Sequence, residues 1–306
     1  MIEERYEEPV NVFQLWMKQA GYADTTKKEY VREVRNFLAY LDGTELKHVK
    51  KLTIVSYLVQ EKEQLSDRAR NRSLAALRSF FKALIDFELA VTNPAQEVKK
   101  SKTERNRKPI YLEQELLALT INYIEGKYQE RNIAILLLMA YCGLRVGEVH
   151  RLNISNYDEE KATITVLGKG RKWNEIPLAP EVNQYMKRVL QQRIQPYRPQ
   201  DEAFFISQKG RRLSIRQIQK IISEMFKQLK AEHAELQGLQ LSCHKLRHSF
   251  ATLMLRNQVD IRVVKELMGH SSIDTTMIYT HIHDEEKKHA VASIRMPDLQ
   301  TEINVR

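Results

Sequence analysis

Glycine and proline are scarce in this sequence, with ten and eight copies among 306 residues. Few tight turns and few helix breaks can therefore be built, which favours helix over strand. Residues that lose little side-chain freedom in a helix, such as leucine, glutamate, lysine and glutamine, are abundant. We expect a mainly α-helical protein with a small β-sheet, and a chain long enough for two domains.

Cysteine is nearly absent, and long apolar runs are missing. Cys142 and Cys243 are the two cysteines, and one pair supports neither a disulfide framework nor a four-ligand metal site. We expect two reduced core thiols and predict no metal and no other cofactor. No run of eighteen apolar residues occurs, and the amino terminus is acidic where a secretory signal is basic. A soluble, cytoplasmic protein with no membrane partner is expected.

Positive charge is in excess, with a formal net charge of +10 at pH 7. Lysine and arginine side chains that neutralise phosphates release counterions and bind DNA without reading its sequence. A polyanionic partner is therefore expected. Charge alone leaves the question open, because many basic proteins bind no nucleic acid.

Residues 1–97 are predicted to form a helical bundle. Apolar residues recur at helical spacing in four segments, whose apolar positions begin at Phe13, Tyr30, Ile54 and Leu74. The fourth helix itself opens at residues 66–73. The threonines at 25–26 are expected to cap the second helix, and the third is expected to run as far as residue 65. Pro94 stops the fourth helix, because proline removes a backbone donor and restricts the residue before it.

Basic residues gather at the start of the fourth helix and again after Pro94. Residues 98–109 carry like charges and little to bury, which predicts an extended linker between two domains. A basic linker between two basic lobes suits a clamp that closes around DNA. The alternatives are a solvated helix end and a plain flexible hinge. The predicted DNA-binding residues are Arg68, Arg70, Arg72, Arg78, Lys99, Lys100 and Lys102.

Residues 110–294 are predicted to form a larger mixed α/β domain, followed by a tail at 295–306. Residues 132–142 are apolar nearly all round, which is typical of a buried central helix. β-Branched residues alternate on both sides of a turn at Gly168-Lys169-Gly170, which indicates a hairpin. Further helices are expected at 113–124, 180–192, 215–230, 243–256 and 261–268. A last, short amphipathic helix before the tail is predicted to carry Ala290, Val291 and Ile294 on one side.

Three segments of this second domain place charged or polar side chains where an apolar pattern would exclude them. Arg145 follows directly on the apolar helix, and its buried charge needs an anion, which could be a ligand or simply Glu148 three residues on. His244 and Arg247 share one helical face. His270 stands nine residues before Tyr279, and either residue alone is more often a core residue than a catalyst.

The three segments, taken with the hairpin, resemble the tyrosine recombinase family, which includes phage integrases and Xer-like proteins. The chain reads GLRVGEV, LGKGRK, HKLRH and MGHSSIDTTMIYTH in the family's order. NRSLAALRSFFKAL and TNPAQEV are similar to the end of the family's core-binding domain. Val149 replaces a commoner leucine, and the family's later aspartate corresponds to Asn156 or Asp158; neither departure touches a catalytic position.

The resemblance implies a fold of an amino-terminal core-binding bundle and a mixed α/β catalytic domain. It also implies six catalytic residues for DNA cleavage and rejoining through a 3′-phosphotyrosine, without metal or ATP. Arg145 and Arg247 would hold the scissile phosphate, His270 would add a hydrogen bond there and Lys169 would protonate the leaving 5′-oxygen. His244 would assist proton transfer at Tyr279, the nucleophile.

The partners implied by the resemblance are double-stranded DNA with inverted-repeat core sites and other copies of the chain. We expect a homotetramer on two paired sites, or a heterotetramer with a paralogue, associated with the nucleoid. The first domain begins almost at residue 1, which favours a simple recombinase: a chromosome-dimer resolvase, a transposon cointegrate resolvase or a mobile-element integrase. The competing hypotheses are a type IB topoisomerase-like enzyme that relaxes DNA and a non-catalytic DNA-binding accessory protein.

Overall fold

The computed structural model describes residues 4–61, 63–102, 110–168 and 172–269. Three predicted site residues, Lys169, His270 and Tyr279, and the predicted carboxy-terminal helix and tail lie outside these ranges. The chain divides into two compact units, Met1–Arg107 and Lys108–Arg306. None of the helices in the described ranges is long and apolar enough to cross a membrane.

The first unit is the predicted four-helix bundle. Its core is rich in aromatic residues: Phe13, Phe37, Phe80 and Phe81 are buried, and Phe13 meets Phe80 edge to face, with ring centroids 5.5 Å apart. Such pairs add to the stability that burial alone provides. The helices are α1 (Glu7–Gln19), α2 (Asp24–Tyr40), α3 (Lys51–Gln60) and α4 (Asp67–Asp86).

Two details of this bundle differ from the sequence prediction. Helix α2 begins at Asp24, one residue before the threonines expected to cap it, and no side chain caps it. Asp24 pairs with Lys27 at 2.7 Å and places a negative charge at the positive end of the helix dipole. Helix α3 ends at Gln60, well before Leu65, which is exposed. The chain turns there because Ser66 caps α4, accepting a hydrogen bond from the Ala69 N–H.

The second unit has seven α-helices in the described chain, and α6, the predicted central helix, is the most buried of them. Every residue of α6 from Ile133 to Ala140 is buried, so α6 contacts neighbours on all sides. The helices are α5 (Gln114–Leu119), α6 (Gln129–Ala140), α7 (Val146–Arg151), α8 (Pro180–Gln191), α9 (Ile215–Glu232), α10 (Cys243–Arg256) and α11 (Ile261–Leu267).

The predicted hairpin is present, with one further short strand at its edge. Strands β1 (Tyr157–Asp158), β2 (Thr163–Leu167) and β3 (Trp173–Pro177) form an antiparallel sheet in the order β1-β2-β3. Ile164 pairs with Ile176 and both are buried, so one face of the hairpin joins the core. The Gly168 N–H donates to the Lys172 carbonyl at 2.9 Å, which closes the hairpin on either side of the segment that contains Lys169.

Candidate active site

A tight turn at Gly143 positions Arg145. Gly143 has a φ of +66°, and a Cβ built on it would lie 2.6 Å from Cδ1 of Phe250. A side chain is therefore excluded here on two grounds, backbone conformation and space. The turn carries the chain from the buried end of α6 to the start of α7, where Arg145 is the N-cap residue in an extended conformation.

Glu148 holds Arg145 by two hydrogen bonds. The Arg145 N–H donates to Oε2 of Glu148 at 2.7 Å, and Nη1 of Arg145 donates to Oε1 at 2.8 Å. The Glu148 side chain is 6% exposed, whereas 33% of the Arg145 side chain remains exposed. The sequence left open whether Arg145 pairs with Glu148, and the structure contains this ion pair. Part of the arginine still faces solvent and is accessible to an anionic ligand.

Arg247 lies deeper and ties three parts of the unit together. It is 6% exposed and donates through Nη1 to the Gly143 carbonyl and through Nη2 to the Met268 carbonyl. Its Nη1 also lies 3.7 Å from Oε2 of Glu148. One carboxylate therefore serves two guanidinium groups, and the three side chains together keep a net positive charge beside the turn.

The histidines of helix α10 lie in the same positive surroundings. His244, in the first turn of α10, is exposed. Burial, followed by the nearby charges of Lys245, His244 and Arg247, lowers the pKa of His248 to about 4. His248 is therefore neutral at physiological pH. Among these causes, the neighbouring positive charges alone would favour an anion such as a phosphate or a phenolate, because burial disfavours charge of either sign.

The structure thus brings together Arg145 and Arg247, with His244 one helical turn before Arg247 on α10. The positions of Lys169, His270 and Tyr279 are outside the described residues. The sequence hypothesis treated Glu148 only as a possible partner of Arg145. Its second role, beside Arg247, depends on two segments separated by about a hundred residues along the chain, and local spacing carries no signal for such a contact.

The predicted DNA-binding residues of the first unit fall into two groups. Arg68, Arg72, Lys99, Lys100 and Lys102 are exposed. The other two have partners inside the unit. Arg70 pairs with Asp67 at 2.6 Å, and Arg78 donates to the carbonyls of Ala95 and Val98 at 3.0 and 2.6 Å. DNA contact by any of these residues stays a prediction.

A second basic surface of the first unit was missed. A groove between α1 and α2 has a volume of about 1030 Å³ and is lined by Lys18, Lys28, Arg32 and Arg35, among others. The spacing of Lys28, Arg32 and Arg35 by four and three residues places them on one helical face. That spacing was available in the sequence, and it would have indicated the surface.

Both cysteines are buried and unreactive by environment. Burial raises the pKa of Cys142 to about 12 and that of Cys243 to about 11. At neutral pH both are thiols, and the thiolate is the form that acts as nucleophile or metal ligand. Across the residues that the structure describes, no group of three or more His, Cys, Asp or Glu side chains could hold a metal ion.

Comparison with known proteins identifies the family. The profile of the phage integrase family matches residues 111–286, and that of the phage integrase amino-terminal SAM-like domain matches residues 11–87. The chain therefore belongs to the phage integrase family and is a tyrosine recombinase, as its motifs predict.

Relatives and solved structures agree with this assignment. Tyrosine recombinase XerC of Caldanaerobacter subterraneus is 37% identical over 78% of this chain, which spans 65% of that relative. Tyrosine recombinase XerC of Lacticaseibacillus casei is 30% identical over 90% of this chain and 94% of the relative. The fold is similar to XerH site-specific recombinase bound to palindromic difH substrate, with a TM-score of 0.73 and 24% identity over 88% of this chain and 79% of XerH. These likenesses favour a site-specific recombinase over a topoisomerase or a non-catalytic accessory protein.

Proposed function

We propose that this recombinase cuts and rejoins duplex DNA by two successive transesterifications at one backbone phosphate, with Tyr279 as the nucleophile. The tyrosine oxygen attacks phosphorus, the bond from phosphorus to the 5′-oxygen breaks, and that oxygen leaves as a hydroxyl. The 3′-phosphotyrosine keeps the reactivity of the phosphodiester it replaces, so a 5′-hydroxyl from another strand can reverse the step. The scheme balances with neither ATP nor a metal ion as a reactant.

The observation that carries the proposal is the pair of arginines joined by Glu148. In our scheme Arg145 and Arg247 bind the two non-bridging oxygens of the scissile phosphate, whose negative charge grows in the pentavalent transition state. Arg145 is held by its carboxylate yet is a third exposed, and Arg247 is fixed by two carbonyls. Donors fixed in advance stabilise developing charge without reorganising, and each contributes roughly 10²–10³ in rate.

Proton transfer is assigned to Lys169 and His244. Lys169 gives a proton to the leaving 5′-oxygen, because an unprotonated alkoxide is a poor leaving group. His244 assists removal of the proton from Tyr279, a phenol whose pKa is ordinarily about 10. His270 donates a further hydrogen bond to the phosphate. Burial is the main cause of the low pKa of His248, and the positive charges of Lys245, His244 and Arg247 add to it; these charges, unlike burial, would favour a phenolate.

The partner in this scheme is double-stranded DNA with inverted-repeat core sites. XerH, whose fold is similar, has been solved bound to a palindromic difH substrate, which supports such a site. Two duplexes and four strand cuts require four protomers, so we propose a tetramer of this chain or of this chain with a paralogue. A DNA-processing enzyme of this kind would work in the cytoplasm at the nucleoid.

The segment after Tyr279 is our proposed connection between protomers. Ala290, Val291 and Ile294 lie on one side of the predicted carboxy-terminal helix, an apolar face too narrow to stand free. Truncation after Thr280 should abolish pairing of two duplexes while binding to a single site survives. Pairing that persists in the truncated protein, measured by gel shift with two labelled duplexes, would contradict this assignment.

The nucleophile is tested with a nicked suicide substrate, on which a covalent adduct accumulates because religation is prevented. The wild-type protein should form an SDS-resistant adduct, and Tyr279→Phe should form none while binding the same DNA. Tyr141→Phe is the matched control, since the Tyr141 side chain is partly exposed and has no role in the scheme. An adduct in the Tyr279→Phe protein would remove Tyr279 as the nucleophile.

The biological role is a separate question, with dimer resolution, cointegrate resolution and mobile-element integration as the candidates. A product assay on plasmids with two defined sites distinguishes recombinants from circles that are only relaxed, the product of a topoisomerase. Footprinting on DNA that flanks the gene locates the site itself. A short inverted repeat beside the gene would favour a mobile element.

A further inference from the structure

Helix α11 is capped by a side chain from the β-sheet. Nδ2 of Asn174, on β3, donates to the carbonyl of Glu266 at 3.0 Å and lies 3.4 Å from that of Leu267. The last carbonyls of a helix have no partner within it, and here the partner comes from a strand 92 residues earlier in the chain. The same Glu266 carbonyl also accepts from the Gly269 N–H at 2.8 Å.

Arg247 binds the carbonyl of the residue that follows α11. Its Nη2 donates to the carbonyl of Met268. Three successive carbonyls, at residues 266–268, are therefore held by β3 and by α10. The carboxy-terminal end of α11 is thus fixed by a proposed catalytic arginine and by the hairpin strand.

Strand β3 and helix α11, which Asn174 joins, are each close in sequence to a proposed catalytic residue. Asn174 follows Lys169 closely on the hairpin, and it pairs with Val166 on β2. Leu267 is three residues before His270 in the sequence. We propose that Asn174 is a positioning residue for the reaction, which fixes the lysine hairpin against the end of α11 and so places Lys169 at the leaving oxygen. This inference rests on the proposed role of Lys169 as the acid.

The position of Asn174 explains why an amide suits this task. Its Nδ2 has two hydrogens, and two carbonyl oxygens of one helix end lie within its reach. Aspartate at this position would offer only acceptors and would repel the carbonyls. Alanine would leave the hairpin attached to α11 by packing alone, free to shift. A displacement of about 1 Å in a catalytic group can lower a rate by on the order of 10²-fold.

The test uses a substrate that does not need the acid. In a bridging 5′-phosphorothiolate, sulfur replaces the 5′-oxygen, and a thiol with a pKa of about 8.5 leaves without a proton. With the ordinary oxygen substrate, Asn174→Ala should slow adduct formation by at least roughly tenfold. With the sulfur substrate, its rate should lie within about threefold of wild type, as should that of Lys169→Ala, because both defects concern the same proton.

Controls separate positioning from stability and from the proposed function. Glu175→Ala changes the next, exposed residue of β3 and should behave as wild type on both substrates. Asn174→Asp, nearly equal in volume, repeats the comparison if the alanine variant does not fold. An equal loss on both substrates, or no loss on either, overturns the role of Asn174. A wild-type protein that forms no adduct, or a Lys169→Ala defect that sulfur does not relieve, instead contradicts the proposed function.

Discussion

Oε2 of Glu148 lies 3.7 Å from Nη1 of Arg247, and both side chains are buried. The same carboxylate oxygen accepts the Arg145 backbone N–H at 2.7 Å. The carboxylate that compensates the buried charge of Arg247 thus also fixes the start of α7, where Arg145 is the N-cap residue. Stability and the placing of the two arginines therefore depend on one side chain.

Glu148→Gln should destabilise the fold and slow cleavage together. The amide keeps the shape of the carboxylate but leaves a buried guanidinium without its counter-charge. We expect the free energy of unfolding to fall by about 2 to 3 kcal/mol, measured by urea denaturation. Glu115→Gln, an exposed carboxylate at the start of α5, should change it by less than about 0.5 kcal/mol. Equal stability of the two variants would show that the buried charge needs no partner.

Gly143→Ala should be costly for two separable reasons. A residue with a Cβ is strained at a φ of +66°, and that Cβ would meet the Phe250 ring at 2.6 Å. Gly238 has a φ of +82° with nothing within 4 Å, so Gly238→Ala measures the backbone cost alone, about 1 kcal/mol. Gly143→Ala should cost about 1 to 3 kcal/mol more, and adding Phe250→Leu should recover part of it. No recovery in that double variant would argue against the clash.

Arg78→Ala should loosen the segment that follows α4. Arg78 donates to two carbonyls of that segment, and Asn71 pairs with both the N–H and the carbonyl of Ser101. We expect about 1 to 2 kcal/mol of destabilisation and faster trypsin cleavage after Lys99 and Lys100.

Arg72→Ala is the matched control for Arg78, because it removes an equal charge from an exposed position of the same helix. Both variants should weaken DNA binding through lost charge, but only Arg78→Ala should speed the cleavage. Identical digestion of the two proteins would mean that the carbonyl contacts do not hold the segment.

Acid should destabilise the second unit through His248. Its folded pKa of about 4 lies below the ordinary value, so the unfolded chain binds a proton at a higher pH than the folded chain does. The stability linked to His248 is therefore complete above about pH 6.5 and is lost as the pH falls towards 4. Partial exposure screens the effect, and we expect about 1 to 2 kcal/mol.

The variant His248→Gln should flatten the dependence of melting temperature on pH between 6.5 and 4. His48→Gln, which changes an exposed histidine of the first unit, should leave that dependence as it is in wild type. A slope unchanged by His248→Gln would assign the acid sensitivity to other groups.

Most of the fold could be predicted, because the spacing of apolar residues along the chain indicates most of its helices and strands. At its length, the apolar run through α6 predicts a buried helix, and the alternation around the turn predicts a hairpin. Both predictions were confirmed. The start of α2 and the end of α3 were misplaced, because caps and turns depend on single contacts such as the one between Asp24 and Lys27. Strand β1, two residues long, carries no pattern of its own.

The candidate site was predictable as residue types and only partly as geometry. Spacing placed His244 and Arg247 on one face, and it paired Arg145 with Glu148. Spacing could not show that Arg78 binds the segment after its own helix. The sequence of a basic cluster is the same whether an arginine faces solvent or donates to a carbonyl. Contacts between distant segments follow from the packed chain, not from neighbours in sequence.

The two buried thiols have a practical consequence for spectroscopy. Because Cys142 and Cys243 are held as neutral thiols, maleimide reagents should pass them over under mild conditions. A single cysteine introduced at an exposed position, such as Ser155, would then take up a fluorophore selectively in the otherwise native protein. Strand exchange could be followed by energy transfer between dyes on such a protein and on its DNA, without first removing any natural residue.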